Sequence, residues 1–430
     1  MNNGWKFRCI ECSQSFEPSQ ARYVCPSCAK LQKPGYPTRG ILRVVWETSA
    51  LIAGWKRFVD RTVDRTADGA NLRGIERVRG LLPLAPHTQP LSLIVGDTPL
   101  VAPQRLRNET GVARLWVKDD TRNPSASYKD RASALVCLKA VELGETRIVA
   151  ASTGNAATAL SCIAASVGQQ ALIVVPASAP RAKLVQMLCY GAELIPVRGS
   201  YDDAFELTLR MSEQLGWYNR NTAYNPFTIE GKKTSAFEIV HDLGDRAPDV
   251  VIVPTGDGVI LSGVAKGFSD LKQAGVIAKV PRLIAVQAST SAAIAMAVQG
   301  NHAVEPVVNS HTVADSICVD APRAGILAMQ EIKASAGTAV MVSDEQIVQS
   351  IASLARGAGV FAEPAAAASL AGLQQALTQG LVERDEEVVL LVTGHGLKDV
   401  GAASKVVQIP EPVDPQSSTL VEVLKDKYSR

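Results

Sequence analysis

Two pairs of cysteines open the chain: Cys9-Ile10-Glu11-Cys12, then twelve residues, then Cys25-Pro26-Ser27-Cys28. Four thiolates at this spacing can close a tetrahedron around one metal ion, and zinc suits such a set. Disulfides or loose thiols are the alternatives. A closed four-sulfur site has no open coordination position, so its role is structural. A segment this short lacks a core of its own, and the metal supplies its folding energy.

Four further segments place reactive or anion-binding groups where a strand gives way to a helix. The run Lys118 to Arg131 ends a strand, turns at Pro124 and starts a helix near Ser127. Lys129 then falls in the first helical turn, where the dipole opposes a positive charge and favours a neutral, nucleophilic amine. Alone, the run also reads as a solvated Lys-Asp-Arg face. Ser152-Thr153-Gly154-Asn155 opens a second helix. Its free amides and hydroxyls suit a carboxylate, or form a plain N-cap. Thr255-Gly256-Asp257-Gly258-Val259 lets backbone amides crowd around a phosphate, although it lacks the Gly-Lys-Ser/Thr ending of a P-loop. The carboxylate of Asp257 must then turn away from that anion. Thr393-Gly394-His395 follows a strand, and its hydroxyl can meet a ring nitrogen; His395 reads as structural rather than as a catalytic base.

These loops need a scaffold. Short apolar runs (Leu115–Val117, Arg147–Ala151, Ala171–Val175, Leu194–Val197, Val250–Val253, Leu283–Val286, Val388–Val392) alternate with Ala/Leu-rich stretches of helical spacing. That alternation predicts an α/β fold: two parallel or mixed sheets flanked by helices, preceded by a small zinc-ribbon-like module. The expected parts are a module at 1–38, a large domain from 39–133 and 225–412, a small α/β domain at 134–224, and an appendage at 413–430. Ligands in such folds sit beyond the carboxyl ends of the strands, where all four loops fall.

The totals narrow the class. Apolar residues make up 47% and charged residues 20%, ordinary for a globular protein. A net charge of +2 argues against a nucleic-acid partner. No stretch approaches the ~18 uninterrupted apolar residues of a membrane span, and the first residues carry no apolar signal region. Eight cysteines, four paired and four scattered among apolar residues, fit a reducing cytoplasm.

In this order the segments resemble the fold-type II pyridoxal 5′-phosphate (PLP) enzymes, the tryptophan-synthase-β-like group, and within it the threonine synthases. The likeness runs from about Gly96 to Lys405. It also takes in Gly96-Asp97-Thr98-Pro99-Leu100, Tyr190-Gly191-Ala192, Asp202-Asp203-Ala204, Asn225-Pro226-Phe227-Thr228-Ile229-Glu230-Gly231-Lys232-Lys233-Thr234 and Glu363-Pro364-Ala365-Ala366. The resemblance implies that Lys129 is the Schiff-base lysine and proton shuttle, flanked by Tyr128. It implies that Asn155 meets the cofactor's 3′-oxygen, that Ser152, Thr153 and Gly154 hold the substrate carboxylate, and that Thr255, Gly256, Asp257, Gly258 and Val259 cradle the cofactor phosphate. Thr393 would face the pyridine nitrogen. A neutral hydroxyl there keeps carbanion charge near the substrate and favours elimination and replacement over transamination.

The implied reaction converts O-phosphohomoserine and water into threonine and phosphate, on a small amino-acid substrate in a homodimeric enzyme. Thr228 stands where threonine synthases usually carry arginine; Arg131, Lys183 or Lys232 could supply the missing charge, and each otherwise reads as a surface cation. Serine or threonine dehydratase, diaminopropionate ammonia-lyase and a β-replacing, cysteate-synthase-like enzyme are alternatives on the same frame. A catalytically dead scaffold is a third, which retention of Lys129, Asn155 and Thr393 opposes.

Elemental analysis of the purified protein is expected to find one zinc per chain. Replacing Cys9 and Cys25 together by serine should remove it and lower stability, while leaving PLP chemistry largely intact. A wild-type protein without stoichiometric zinc would refute the knuckle reading.

Overall fold

The computed structural model describes residues 4–60, 72–177, 179, 181–416 and 419–428, apart from the side chains of residues 181–183 and 202. A small antiparallel sheet comes first, built from β1 (Trp5–Cys9), β2 (Ser15–Phe16) and β3 (Leu42–Trp46) in the order β2-β1-β3. The large sheet joins β4 (Leu100–Val101), β5 (Arg114–Asp119), β10 (Val250–Pro254), β11 (Arg282–Ala288), β12 (Thr338–Val342) and β13 (Glu387–Val392). Its order is β12-β11-β10-β13-β5-β4, and every pairing except β4 with β5 is parallel. The third sheet is parallel throughout, with order β8-β7-β6-β9: β6 (Arg147–Ala151), β7 (Gln170–Pro176), β8 (Glu193–Val197) and β9 (Tyr218–Asn219).

Helices cover the central strands on both faces. That explains why β10 and β13 are buried at every residue and read as unbroken apolar runs. β9 has only two residues, too few to show a period, and β12 hides in a Thr-Ala-Val run; neither was legible beforehand.

Two of the expected boundaries lie close to continuous elements. The break at 133 falls inside the helix Lys129–Glu142, so a continuous rigid element joins the two halves. The break at 38 precedes β3, whose five residues all pair with β1. The Pro34-Gly35-Pro37 run marks a turn within the module, not its end. After residue 413, the helix Leu420–Tyr428 buries none of its residues. Among the described residues no helix is long and apolar enough to cross a membrane.

Buried charge fastens the Lys129 helix to its surroundings. Arg131 is fully buried and pairs with Asp120 (Nε to Oδ2, 2.6 Å) and Glu238 (Nη1 to Oε1, 2.6 Å). Lys118 Nζ reaches Glu238 Oε2 at 2.8 Å and donates to the carbonyl of Thr98 at 2.6 Å. The Thr98 hydroxyl donates to Asp120 at 2.7 Å, and the Asp97 amide donates to Glu238 at 2.9 Å. One cluster thus ties the Gly96–Leu100 segment, the end of β5, the Lys129 helix and the helix Thr234–Asp242. A second cluster, Lys233 with Glu230 (2.6 Å) and Asp270 (2.9 Å), binds the helix Phe227–Lys232 to the helix Val259–Gln273.

Burial raises the pKa of Glu238, but Arg131 and Lys118 outweigh it and hold the carboxyl well below its usual range. The stabilisation this represents is present at neutral pH. It is lost as pH falls from about 4 toward the depressed value. Arg131→Leu would leave buried Asp120 without a cation and Glu238 with Lys118 alone, a loss of about 3–5 kcal/mol. A marked drop in melting temperature or in soluble yield is expected at neutral pH, shrinking as the pH falls below about 4; an unchanged melting temperature would show that the cluster adds nothing.

Candidate active site

The turn before Lys129 is built on a strained residue. Ala126 takes φ +62°, a left-handed conformation uncommon outside glycine, and its amide donates to Asn123 O at 2.8 Å. Stitching to the loop after β13 stabilises it. The Tyr128 amide donates to Thr393 O at 2.8 Å, the His395 amide donates to Ala126 O at 3.1 Å, and Ser127 bridges Gly394. Backbone pairing therefore sets Lys129 beside Thr393.

Both line a cavity of about 440 Å³, a size suited to a cofactor with a small substrate. Ser152, Thr153, Gly154, Asn155, Arg220, Lys232, the whole run Thr255–Val259 and Glu363 line it as well. Two helices start at its wall, Asn155–Ser166 and Val259–Gln273, each with first-turn amides that the helix itself leaves unpaired. Gly258 opens the second at φ +86°, and a Cβ there would lie 2.7 Å from that of Ala328. A Cβ on Gly256 would lie 2.9 Å from Ile317 Cα, so only glycine lets the backbone run this close. Asp257 does turn away: its Oδ1 accepts from the Arg323 amide at 3.0 Å.

The cavity wall is rich in cations. Burial lowers the pKa of Lys129, and Arg220 adds to that, against the opposing pull of Glu363 and Asp257. Lys232, 1% exposed, is held well below the lysine range by burial and then by Lys129 and Arg220. Arg220, 2% exposed, is lowered to about 10 by burial. Its Nε donates to Ser133 Oγ at 3.3 Å, but its Nη2 is buried without a hydrogen-bond partner among the described residues. Like charges crowded this way are unfavourable until an anion joins them. The amide of Asn155 donates to both carboxylate oxygens of Glu363, at 2.8 and 3.0 Å. Burial raises the Glu363 pKa.

Two expected site residues are not at the cavity. Tyr128 is fully buried behind it, with its hydroxyl donating to Lys232 O at 2.7 Å. Arg131 belongs to the buried ion cluster. Helical geometry explains this: a residue two positions on lies about 200° around the axis, so Lys129 and Arg131 face opposite ways. The side chain of Lys183 lies outside the described residues. Sequence reasoning missed Arg220, which follows the two-residue β9. It named Glu363 only as part of a motif, without a role.

The cavity fits pyridoxal phosphate: a half-buried amine, a glycine loop at a helix N-terminus, and a hydroxyl at the end of β13. When bound, the cofactor supplies an aldehyde for an amine and a ring that stabilises negative charge on the adjacent carbon. Lys129, the Thr255–Val259 backbone, Asn155 and Thr393 would hold it. At the N-terminus the four cysteine Sγ atoms lie within 4.8 Å of one another, with Cys9–Cys28 at 3.8 Å and Cys12–Cys25 at 3.7 Å. A tetrahedral ion with metal–sulfur bonds of about 2.3 Å needs sulfurs about 3.8 Å apart, so the set fits zinc.

Residues 91–394 match the family described as pyridoxal-phosphate dependent enzyme. The chain is 32% identical to a threonine synthase of Methanocaldococcus jannaschii over 421 residues, 97% of this chain and 99% of that one. It is 36% identical to a threonine synthase of Mycobacterium tuberculosis over 344 residues, 79% and 93% of the two chains. Among solved structures, processed threonine deaminase isoform 2 of Solanum lycopersicum superposes with a TM-score of 0.63 at 22% identity, covering 72% of this chain and 87% of that one. Diaminopropionate ammonia lyase of Escherichia coli gives 0.62 at 18%, covering 90% and 94%. At such identities these two likenesses speak to the fold alone.

Borohydride treatment of the PLP-loaded protein should fix a pyridoxyl group on the peptide that carries Lys129. Lys129→Ala should lose both that label and turnover; a label elsewhere, or a fully active variant, would overturn the assignment.

Proposed function

This chain belongs to the pyridoxal-phosphate dependent enzyme family, and on that footing we propose that it acts as a threonine synthase, converting O-phosphohomoserine and water into threonine and phosphate. It is a PLP-dependent lyase of fold type II. The observation that carries the finer reading is the pair Arg220 and Lys232. Loss of water or ammonia from a substrate calls for no strong cation at the leaving group. Loss of a phosphate dianion does, and preplaced cations are its most effective stabilisers. Thr228, where the family usually has arginine, is buried with its hydroxyl on Asn225 O at 2.7 Å. Arg220, from the end of β9, and Lys232, from the next turn of the Thr228 helix, supply that charge instead.

The remaining roles follow the cavity wall. Ser152, Thr153 and the amides opening the Asn155 helix hold the substrate carboxylate. The Lys129 amine takes protons from the substrate Cα and Cβ as phosphate leaves Cγ, and returns protons at Cγ and Cα as water adds its hydroxyl at Cβ. Thr393 presents a neutral hydroxyl to the ring, which keeps charge near the reacting carbons. Zinc at the four cysteines, a homodimeric assembly and a cytoplasmic location belong to the same proposal.

Incubation with O-phosphohomoserine should release phosphate and threonine in equal amounts. Arg220→Leu and Lys232→Met should each lower kcat/KM by roughly 10- to 100-fold, the loss of a charge-assisted contact of about 1.5–3 kcal/mol. An intact O-phosphohomoserine, with pyruvate, 2-oxobutyrate or ammonia formed from serine, threonine or diaminopropionate, would overturn the proposal.

A further inference from the structure

The cysteine module touches three walls of the cavity. Its first knuckle points Ile10 into an apolar cluster with Ile41, Ile229, Val259, Ala324 and Leu327. Val259 closes the phosphate loop, and Ile229 lies on the short helix that ends at Lys232. Trp5 and Phe7 of β1 also pack their rings on Phe227 of that helix, at 6.2 and 5.7 Å between centroids.

A hydrogen-bond chain runs in parallel. The Glu11 carboxylate, between the first two cysteines, pairs with Arg39 and accepts from the Gly40 amide. The Thr38 amide donates to Arg323 O at 2.9 Å. The amides of Arg323 and Ala324 then donate to Asp257, at 3.0 Å to Oδ1 and 2.8 Å to the carbonyl.

The third contact comes from between the knuckles. The Tyr23 hydroxyl accepts from the Asn219 amide at 2.9 Å, and its ring stacks on Tyr224 at 4.7 Å. Arg22 pairs with Glu145, just before β6. Asn219 is the residue before Arg220.

We propose that metal occupancy of the four cysteines and cofactor binding at the Lys129 cavity are energetically coupled, with the module bracing the phosphate loop, the Lys232 helix and the Arg220 strand. Backbone hydrogen bonds tie each knuckle to the β3 end of the module, Ile10 N to Ile41 O and Cys25 N to Gly40 O, but without metal the two knuckles lose the bond that joins them, and the aim of Ile10, Thr38 and Tyr23 loosens. The three walls then pay their own ordering entropy when the cofactor binds. The coupling is reciprocal: whatever factor the metal contributes to cofactor affinity, the cofactor contributes to metal affinity. This revises the expectation that loss of the knuckles leaves PLP chemistry intact. It rests on zinc and PLP binding and not on the choice of substrate, so it is read from cofactor binding rather than turnover.

The test titrates pyridoxal phosphate into cofactor-free protein, zinc-loaded and chelator-stripped, with tryptophan fluorescence as the readout, and titrates zinc with and without the cofactor. Affinities should differ by about 10-fold or more, by the same factor in both directions. Hydrogen exchange at amides 256–261 and 219–220 should speed up in the metal-free protein. Should stripped protein aggregate, Ile10→Ala, which keeps all four cysteines, replaces it: with full zinc content it should bind the cofactor several-fold more weakly. Equal cofactor affinity in both metal states, or in Ile10→Ala, would overturn the proposal. So would faster exchange confined to residues 5–46.

Discussion

The buried ion cluster around Arg131 is the constraint on which the site depends. A guanidinium with no exposure, shared by Asp120 and Glu238, satisfies its donors only if four segments meet at one point. The Gly96–Leu100 segment, the end of β5, the Lys129 helix and the helix Thr234–Asp242 all meet at this guanidinium and its two carboxylates. Such a cluster is poor value as stabilisation against a well-packed apolar core, since desolvating the charges costs much of what the pairing returns. Its value here is in register. A helix carrying Arg131 in that cluster has one rotation, and that rotation turns Lys129 to the cavity.

The cavity shows the opposite economy. Behind Lys129 the Arg131 and Lys118 cations are matched by Asp120 and Glu238; in front of it Lys129, Lys232 and Arg220 crowd together, with one guanidinium nitrogen unpartnered among the described residues. The surplus is confined to the surface that an anion would occupy. Glu363 and Asp257 temper it, but the first is engaged by Asn155 and the second by the Arg323 amide. Binding of a phosphorylated substrate would therefore relieve a repulsion already present in the fold, as electrostatic preorganisation requires.

The module, the large sheet and the small sheet are thus parts of one mechanical arrangement. The Lys129 helix packs against both the helix Phe227–Lys232 and the helix Asn155–Ser166, and the cysteine module contacts Phe227, Asn219 and Arg323. Elements that look separable along the chain share contacts at the cavity wall.

By itself the sequence determined the class and the loops. Strand runs with no polar interruption announce parallel sheets, and glycine or Ser/Thr turns after them announce anion-binding helix starts, because these signals are local and each residue acts within its own turn. The four cysteines are legible for the same reason: metal geometry limits their spacing. The facing of Tyr128 and Arg131, the use of Arg220 and the reach of the module were decided only by tertiary structure. Each depends on helix rotation or on pairing between residues up to hundreds of positions apart, such as Thr38 with Arg323 or Tyr128 with Thr393. No local pattern encodes those meetings; packing and charge pairing in the folded chain select them.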